Sequence, residues 1–363
     1  MKYCFPIKRK KSGGFFMKKC LMALMALFGL FLLVACGNDE TDHQTSEDPS
    51  TTEDASAGGE GDTEEVAAVG SLLVTHRSGE TEVPINPQNI AVFDMALLES
   101  IDLMGFGDRV VGIPQNSIVY LASDFRNADV ADFGTLHEPN IEYMAGYELD
   151  LIIISGRARP YFDELSALAP VIDLGLDNTD VRGSFVANQT YLGQIFQAEE
   201  AWQAEIDEIL ALFDEAAALS SQLMDQEALI IMHNEGDLQA FGPGGRFGVI
   251  HDVFGVPYVD AEVGINEEGE SVNHGMTVDN EYIYGVNPAM IFVIDRNYVL
   301  DGQNPEDHEI DITNDIINLT DAGENGHIFL LNPEVWYIAP GGLQGMRSQV
   351  SGIIEGLRTV LGQ

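Results

Sequence analysis

The stretch ELDLIIISGR, residues 148–157, decides the fold class of this chain. Its central residues, Leu151 to Ile154, are all apolar, and small and charged residues follow them directly. An apolar run without polar alternation predicts a strand that is buried on both faces. Such strands occur in parallel sheets that helices cover on both sides, so the stretch indicates an α/β protein.

Similar runs on both sides of this stretch predict two Rossmann-like α/β lobes. Between the runs lie segments with apolar residues at three- and four-residue spacing, which predict helices. A helical stretch without Gly or Pro between Gln194 and Gln222 separates the two sets of strands, so one long helix is expected to join the lobes. The expected strands are 90–93, 110–113, 151–154, 171–174, 228–232, 290–294 and 328–331, after a hairpin over 72–84, and the expected helices are 95–105, 139–147, 161–168, 246–254, 278–286 and 342–361.

The N-terminal residues are typical of an exported lipoprotein. Residues 1–36 contain seven basic residues and no acidic residue, and they include an apolar run at 21–34. The run is shorter than the ~20 residues of a transmembrane helix, so it predicts a secretion signal. It leads into LVACG, the pattern of a lipobox in which Cys36 becomes lipidated; the alternative is a cysteine buried in an apolar helix. Met17 is an alternative start that would leave a signal of ordinary length.

Composition divides the chain into five segments. The segment after the signal is rich in Ser, Thr, Gly, Asp and Glu and lacks aromatic residues, so it predicts a disordered acidic tether. Such a tether would hold the folded part away from the membrane. The predicted segments are a lipoprotein signal peptide at 1–36, the acidic tether at 37–70, an N-terminal lobe at 71–186, a linking helix at 187–224 and a C-terminal lobe at 225–363.

The chain is strongly acidic. Its 363 residues include 59 Asp and Glu against 17 Lys and Arg, which gives a net charge of −42. Because phosphate contacts require Lys and Arg, this excess argues against nucleic-acid binding. After residue 36 the basic residues are ten arginines and no lysine, and no cysteine remains to form a disulfide. Arg keeps its charge at high pH, so this composition suits an alkaline or saline exterior; genomic composition bias is the alternative.

Three of the ten arginines lie just after predicted strands. Arg157 ends the stretch quoted above, Arg296 follows the strand at 290–294, and Arg246 lies in the glycine-rich segment 242–248. An acidic protein that binds an anion has to concentrate positive charge locally, and the planar guanidinium suits oxygen anions. These residues therefore predict an anion site at the strand ends, whereas solvated surface charges are the alternative. The glycine spacing does not match a dinucleotide-binding loop.

Few residues point to catalysis or to a preformed metal site. The eight histidines form no HExxH pair, and the sequence has no GxSxG motif, no P-loop and no cysteine nucleophile after residue 36. His274, in a predicted loop, is a candidate metal ligand. Tyr337 follows the last predicted strand beside Trp336, and these two are either contacts for a ligand or packing aromatics.

Several motifs, in order along the chain, resemble the substrate-binding lipoproteins of iron–siderophore ABC importers, which are class III substrate-binding proteins. The N-terminal half carries VFD at 92–94 and ELDLIIIS at 148–155. The more specific motifs lie in the C-terminal half, and they resemble the catecholate branch, which includes receptors for petrobactin and bacillibactin-like ligands. These motifs are FGP at 241–243, RFGVIHDVFG at 246–255, NHG at 273–275, FVIDR at 292–296, and WY at 336–337 with GGL at 341–343.

This resemblance implies a fold, a ligand and a set of contacts. The fold is two α/β lobes bridged by one long rigid helix, without an intrinsic cofactor. The ligand is a ferric catecholate siderophore that is delivered to an ABC permease. Three arginines would face the anionic complex, and a His and a Tyr would ligate iron where the siderophore leaves positions vacant. The ligand-binding residues that the resemblance implies are Arg157, Arg246, Arg296, His274, Tyr337 and Trp336, with His274 and Tyr337 as the iron ligands.

The sequence further predicts a monomer at the extracellular face of the cell membrane, anchored by lipid on Cys36, in a Gram-positive and alkaliphilic or halophilic bacterium. Glu99 and Asp252 are the candidate residues for docking on the permease, one on each lobe. The chain departs from the family pattern at three places: an acidic insertion at 266–271, Gln115 where some relatives carry a basic residue, and Ala339-Pro340 after the Trp-Tyr pair.

Three other functions stay open on the sequence alone. A receptor of the same fold could bind haem, cobalamin or a hydroxamate siderophore. Binding of a neutral hydroxamate complex would depend little on the arginines or on salt. An exported metal-dependent hydrolase would bind metal without a chelator and would turn over a substrate. A surface adhesin would leave the arginines at the strand ends without a role.

Overall fold

The computed structural model describes residues 4–6, 70–126, 129–260, 262–266, 269, 272, 274–301, 312 and 314–363. The predicted lipidation site Cys36 lies outside these residues, as do nearly all of the predicted signal peptide and tether. Within the described ranges, no helix is both long and apolar enough to cross a membrane.

Helices alternate with strands along most of the described chain. The strands are β1 Cys4–Pro6, β2 Ser71–His76, β3 Gly79–Pro84, β4 Ile90–Val92, β5 Val110–Ile113, β6 Ala131–Asp132, β7 Leu151–Ile154, β8 Val171–Asp173, β9 Ala228–Asn234, β10 Asp237–Phe241, β11 Met276–Val278, β12 Met290–Asp295 and β13 Ile328–Leu331. The α-helices are α1 Met95–Leu103, α2 Ile141–Met144, α3 Phe162–Ser166, α4 Val181–Ile195, α5 Glu199–Ser220, α6 Val249–Asp252, α7 Asn280–Val286, α8 Arg296–Asp301, α9 Asp321–Asn325 and α10 Leu343–Leu361. A π-helical turn spans Glu334–Ile338.

The N-terminal lobe contains a fully parallel sheet with the strand order β6-β5-β4-β7-β8. Strand β7 lies between β4 and β8, and all four of its residues are fully buried. The apolar run Leu151 to Ile154 therefore has the two-sided cover that its sequence predicts. The prediction of an α/β fold with a central parallel sheet is confirmed.

The C-terminal lobe contains a mixed sheet with the order β1-β13-β12-β9-β10-β11. Strand β12 runs parallel to β9 and β13, whereas β1, β10 and β11 pair antiparallel with their neighbours. The sequence prediction missed the hairpin β9–β10. Its two turn residues, Glu235 and Gly236, both have positive φ, as type I′ turns require, but Glu-Gly is not among the pairs that usually signal such a turn. Strand β1 lies within the residues that the sequence analysis predicts to be a signal peptide.

The helical stretch predicted at 187–224 is two helices rather than one. Helix α4 ends at Ile195 and α5 begins at Glu199, and between them Gln197 has a φ of 56°, which interrupts the helical backbone. The break lies over an aromatic cluster in which the rings of Phe196 and Trp202 stack at 5.7 Å. The 22-residue helix α5 is the long helix between the two lobes, and it packs along α10.

One cluster of buried apolar side chains extends through both lobes. It includes Ile153 of the N-terminal sheet, Phe213 of α5, Val350 of α10 and Phe292 of the C-terminal sheet. Because close-packed cores resist shear, movement of one lobe against the other would disrupt this shared packing. The long helices therefore hold the ends of the two sheets in a fixed relation.

Candidate functional site

Four of the predicted site residues meet at one place between the lobes. Arg157 follows β7 of the N-terminal lobe. Arg246 lies in the loop between β10 and α6, Arg296 begins α8 directly after β12, and Tyr337 lies in the π-helical turn after β13. All four side chains belong to half-buried residues. The structure thus assembles this site from both lobes.

Two arginines bind the main chain of Tyr337. Arg157 donates from Nη2 to the Tyr337 carbonyl at 2.8 Å and from Nη1 to the Ile338 carbonyl at 3.2 Å. Arg246 donates from Nη2 to the same Tyr337 carbonyl, also at 2.8 Å. Carbonyls in the last turn of a helix lack partners within the helix. The π-helical turn ends at Ile338, and the two guanidinium groups supply the missing donors.

The third arginine binds the side chain of Tyr337. Arg296 donates from Nε to the phenol oxygen at 2.7 Å. The guanidinium carbon of Arg246 lies 4.1 Å from the centroid of the Tyr337 ring, and that of Arg296 lies 5.4 Å away. At such distances a guanidinium is attracted to the face of an aromatic ring. One tyrosine is therefore the common partner of three positive charges.

These charges change the acidity of the phenol. Burial by itself raises the pKa of Tyr337, because it disfavours the phenolate. The hydrogen bond from Arg296 and the charges of Arg246 and Arg296 act in the opposite direction and prevail, so the pKa lies below its ordinary value of 10.0. Burial, followed by the charge of Arg157, lowers the pKa of the Arg246 guanidinium, which still keeps its proton at physiological pH.

The positive charge of the site is not neutralised by carboxylates. Within the described part of the chain, Arg157, Arg246 and Arg296 form no salt bridge; their acceptors are carbonyl, phenol and amide oxygens. Five of the seven other arginines after residue 36 do form salt bridges, whereas Arg109 and Arg126 bind amide or carbonyl oxygens among the described residues. The arginines that do form salt bridges with Asp or Glu are Arg77, Arg159, Arg182, Arg347 and Arg358.

Asp94 is an acidic residue whose ionisation responds to the charge of Arg157. Its carboxylate caps α1 by accepting from the main-chain N–H groups of Ala96 at 2.8 Å and Leu97 at 3.0 Å. Burial raises the pKa of Asp94, and the hydrogen bonds from Ser155 and the helix together with the charge of Arg157 offset this only in part. Asp94 therefore caps α1, and within the described part of the chain it forms no salt bridge with Arg157.

His274 is exposed, in the loop before β11. The next residue, Gly275, has a φ of 73° and packs against Phe241. No hydrogen bond joins His274 to Tyr337 or to the three arginines in the described part of the structure. Nor do the described residues contain a group of three or more His, Cys, Asp or Glu side chains that could hold a metal ion. The role of His274 as an iron ligand stays a prediction.

Trp336 is buried beside the site, and its contact with a ligand stays a prediction. Trp336 is only 2% exposed and packs edge-to-face against Phe247, with ring centroids 6.3 Å apart. Its position follows from the π-helical turn, which places Trp336 towards the core and Tyr337 towards the site. Trp336 supports the site from beneath.

Glu99 cannot dock on a permease, because its side chain is completely buried. It accepts hydrogen bonds from the main-chain N–H groups of Gln344 and Gly345 in the first turn of α10, at 3.2 and 3.0 Å. Glu99, a residue of α1, therefore caps the N-terminus of α10. Asp252 is exposed, although it accepts from Gly244 N–H at 2.6 Å, and its role in docking stays a prediction.

Sequence inspection missed one residue of the site. Asn234, the last residue of β9, accepts a hydrogen bond from Nη1 of Arg296 at 2.5 Å. The available signal was its place at the carboxyl end of a strand, in the same sheet as the strand that precedes Arg296. An Asn before a turn is more commonly a turn residue, so this signal was weak.

Comparison with known proteins relates this chain to solute receptors. The family model described as periplasmic binding protein matches residues 90–335. The petrobactin-binding protein YclQ of Bacillus subtilis is 33% identical over 346 residues, which cover 94% of this chain and 99% of that protein. The ferric-anguibactin-binding protein FatB of Vibrio anguillarum is 27% identical over 293 residues, covering 79% of this chain and 88% of that protein.

Solved structures agree with these relatives. The crystal structure of YclQ matches with a TM-score of 0.73 over 79% of this chain and 99% of its own. The catecholate-siderophore-binding protein VctP of Vibrio cholerae matches with a TM-score of 0.70 at 28% identity, over 78% of this chain and 99% of its own. The two-lobed arrangement described above is thus shared with proteins that bind siderophores.

Proposed function

Because the chain belongs to the periplasmic binding protein family, we propose that it captures a ferric catecholate siderophore outside the cytoplasm and delivers it to an ABC permease for iron uptake. The family and the relatives described above are solute-binding proteins. Two of them are named for petrobactin and for catecholate siderophores. A ligand of the same chemical class suits the site of this chain.

The observation that carries the proposal is the set of three guanidinium groups with neutral acceptors around Tyr337. A ferric catecholate complex is an anion whose charge lies on oxygen atoms at its surface. In a protein with a net charge of −42, such an anion is repelled except where positive charge is concentrated. That concentration is provided by Arg157, Arg246 and Arg296, which form no salt bridge with a carboxylate among the described residues.

The guanidinium groups are able to bind oxygen atoms while they keep their present partners. Each guanidinium has five N–H donors. Arg157 uses two nitrogens on carbonyls, and Arg296 uses two on Tyr337 and Asn234. The remaining donors can face catecholate oxygens in charge-assisted hydrogen bonds. Because both lobes already hold the arginines in place, binding requires little rearrangement of the site.

Tyr337 is the proposed protein ligand for iron when the siderophore leaves coordination positions vacant. Ferric iron is a hard acid and accepts phenolate oxygen, and the lowered pKa of Tyr337 favours the phenolate form. Iron here is the cargo and enters with the siderophore. His274, in its exposed loop, is the proposed second ligand for complexes with two open positions.

The test is fluorescence quenching of residues 37–363, titrated with three probes. These are a ferric bis-catecholate, a ferric tris-catecholate and a neutral ferric trihydroxamate. Trp336 directly precedes Tyr337 in the sequence, so its fluorescence reports on binding at the site. We expect both catecholates to quench tightly, with a preference for the bis-catecholate, and binding to weaken as salt is raised.

Each other result has a defined meaning. Quenching by the trihydroxamate alone would retain an iron receptor but overturn the catecholate ligand. Absence of quenching by every probe would overturn the siderophore function and leave haem, cobalamin or an exported enzyme to be tested by binding and turnover assays.

The location of the protein is a second part of the proposal. Lipid on Cys36 would anchor the chain at the extracellular face of the cell membrane of a Gram-positive bacterium, and residues 37–70 would link the anchor to the folded lobes. Three features of residues 1–37 support this assignment: the basic residues, the apolar run and the LVACG motif. Asp252 is the remaining candidate for contact with the permease.

A further inference from the structure

Asn234 holds the guanidinium of Arg296 from the side opposite to the Tyr337 contact. We propose that Asn234 is a positioning residue of the anion site, which orients Arg296 without neutralising its charge. This inference rests on the proposed function, because it assigns a role within the same site. It goes beyond the family resemblance, since Asn234 is in none of the motifs on which the resemblance rests.

The orientation follows from two hydrogen bonds made by different nitrogens of one planar group. Arg296 donates from Nε to the Tyr337 phenol oxygen at 2.7 Å and from Nη1 to Asn234 Oδ1 at 2.5 Å. Two bonds in the plane of a guanidinium fix its rotation, whereas one bond leaves it free to swing. The N–H donors on Nη2 then keep a constant direction. Tyr337 alone could not supply this restraint.

The main chain around Asn234 is held in turn by the strand that precedes Arg296. In the parallel pairing of β9 with β12, His233 is in register with Asp295, so Asn234 and Arg296 follow at the same level. Beyond Asn234, the main-chain N–H of Glu235 donates to Oδ1 of Asn297 at 2.8 Å. The residues just before the Asn234–Arg296 contact are therefore joined by strand pairing, and those just after it by a hydrogen bond between the β9–β10 turn and α8.

An amide is suited to this role because it is neutral. Arg159 shows the alternative, since Nη2 and Nε of its guanidinium both bind the carboxylate of Asp173. A carboxylate in such contact compensates the charge of the arginine. The carboxylate next to Arg296 in sequence, Asp295, is directed elsewhere, to Nδ1 of His233 at 3.1 Å and to Asn297 N–H at 3.2 Å. Arg296 thus keeps a charge that an anionic ligand can use.

The chain offers a matched control for the substitution of Asn234. Nη1 of Arg109 donates to Oδ1 of Asn86 at the same distance of 2.5 Å. This second Asn–Arg contact lies at the start of the N-terminal lobe, away from Tyr337. Asn86 has a φ of 63°, a conformation that Asp also tolerates. The pair Asn234→Asp and Asn86→Asp therefore adds the same charge beside the same kind of contact, once inside the site and once outside it.

The first experiment measures binding of a ferric tris-catecholate, prepared from ferric chloride and 2,3-dihydroxybenzoate, by fluorescence quenching over a range of salt concentrations. Asn234→Asp should weaken binding by about 10-fold or more and flatten the salt dependence, because Arg296 loses its free charge. Asn86→Asp should stay within about 2-fold of the wild type, as expected for a distant screened charge. Equal affinity of Asn234→Asp and the wild type would overturn the inference.

The second experiment needs no ligand and separates orientation from charge. Arginine is labelled with nitrogen-15, and the Nε–H signal of Arg296 is identified by its loss in Arg296→Lys. In the wild type and in Asn234→Asp, this proton should exchange slowly with water, because the guanidinium is held on both sides. In Asn234→Ala it should exchange faster. Fast exchange in the wild type, or unchanged slow exchange in Asn234→Ala, would overturn the positioning role.

The two experiments also distinguish this inference from the proposed function. If the wild type binds no ferric catecholate, the proposed function fails, and with it the use of Arg296 charge for that ligand. The proton exchange measurement still decides whether Asn234 positions Arg296. If the wild type binds and both Asn234 variants bind equally well with slow exchange throughout, the function stands and the positioning role of Asn234 is refuted.

Discussion

Arg157 donates a hydrogen bond from Nη2 to the main-chain carbonyl of Tyr337, at 2.8 Å, across 180 residues of sequence. This bond joins the N-terminal lobe to the C-terminal lobe inside the candidate site. It is made by a charged donor to a neutral acceptor, so it positions the guanidinium and leaves its charge uncompensated. The two lobes thereby present their positive groups together before any ligand arrives.

Substitution of Arg157 by Gln should reduce ligand affinity, whereas substitution of Arg159 by Gln should reduce the free energy of unfolding. Arg157→Gln removes an uncompensated charge, and we expect the affinity for a ferric catecholate to fall about 10- to 100-fold, the effect of losing one charge-assisted hydrogen bond. Fluorescence quenching measures this affinity. The free energy of unfolding, measured by urea denaturation, should change little.

Arg159→Gln is the matched control, two residues away. It removes the half-exposed guanidinium that binds the buried carboxylate of Asp173, which keeps the donors of Ser78 and Gly175, so we expect a loss of about 1–2 kcal/mol in the free energy of unfolding. The affinity of the folded protein should remain within a few-fold of the wild type. A larger loss of affinity in Arg159→Gln than in Arg157→Gln would contradict the assignment of the site.

One tyrosine of the 11 in the chain should ionise at a lower pH than the others. The pKa of Tyr337 lies below 10.0, because the hydrogen bond from Arg296 and the charges of Arg246 and Arg296 outweigh burial. The measurement is ultraviolet absorbance of tyrosinate during a pH titration. The early transition should disappear in Tyr337→Phe and should move to higher pH in Arg296→Gln, where burial dominates.

The same ionisation should affect binding. As the pH rises through the pKa of Tyr337, the phenolate becomes available, so a ferric bis-catecholate with vacant positions should bind more tightly. A ferric tris-catecholate with no vacant position should show no such gain. If Tyr337→Phe binds both complexes with the pH dependence of the wild type, Tyr337 does not ligate the iron.

Glu99 should make the free energy of unfolding depend on pH. Burial raises the pKa of this carboxyl from 4.5 to about 7, and the hydrogen bonds from Gly345 and Gln344 offset only part of this increase. The contribution of Glu99 is therefore complete below pH 4.5 and is lost as the pH rises through about 7. We expect the difference in unfolding free energy between the wild type and Glu99→Gln to fall by about 3 kcal/mol across this window.

The difference between variants is the quantity to measure, because His251 acts in the opposite sense. Burial lowers the pKa of His251 from 6.5 to about 4, so its contribution is present above pH 6.5 and is lost as the pH falls through about 4. The two effects partly cancel in the wild type. Urea denaturation at several pH values of the wild type, Glu99→Gln and the exposed control Glu148→Gln resolves them. A pH-independent difference for Glu99→Gln would show that Glu99 titrates normally.

The anchor proposal makes Cys36 different from the other cysteines. Cys36→Ala should release the protein from the membrane fraction into the medium and remove the mass of the lipid. Cys20→Ala, within the predicted signal, is the control and should leave the protein in the membrane fraction. Retention of the Cys36→Ala protein on the membrane would refute lipidation as the anchor.

Much of the fold could be predicted because its signals are local in sequence. The apolar runs at 110–113, 151–154 and 328–331 coincide with β5, β7 and β13. Hydrophobic periodicity reports the burial of a segment whatever its neighbours are. The break at Gln197 was not predictable in this way, since its positive φ follows from the packing of Phe196 and Trp202 against Phe106 rather than from a Gly or Pro.

The candidate site shows a similar division. The three arginines stood out because cations are rare in this chain after residue 36, which is a property of composition. The burial of Glu99 and Trp336 could not be predicted, because burial of a single side chain depends on segments far away in sequence, here α10 and the loop that carries Phe247. Asn234 was missed for the same reason, as its importance lies in its partner on the next strand.

Local sequence was enough to predict the α/β class, the positions of most strands along the chain, the cations at the strand ends and the resemblance to siderophore receptors. These follow from composition, local periodicity and short motifs, each of which is complete within a few residues. Only the tertiary structure decided that Arg157, Arg246 and Arg296 share one tyrosine, that their partners are neutral and that Glu99 lies inside. Those outcomes depend on which distant backbone groups packing brings within hydrogen-bond distance, and no local pattern encodes that choice.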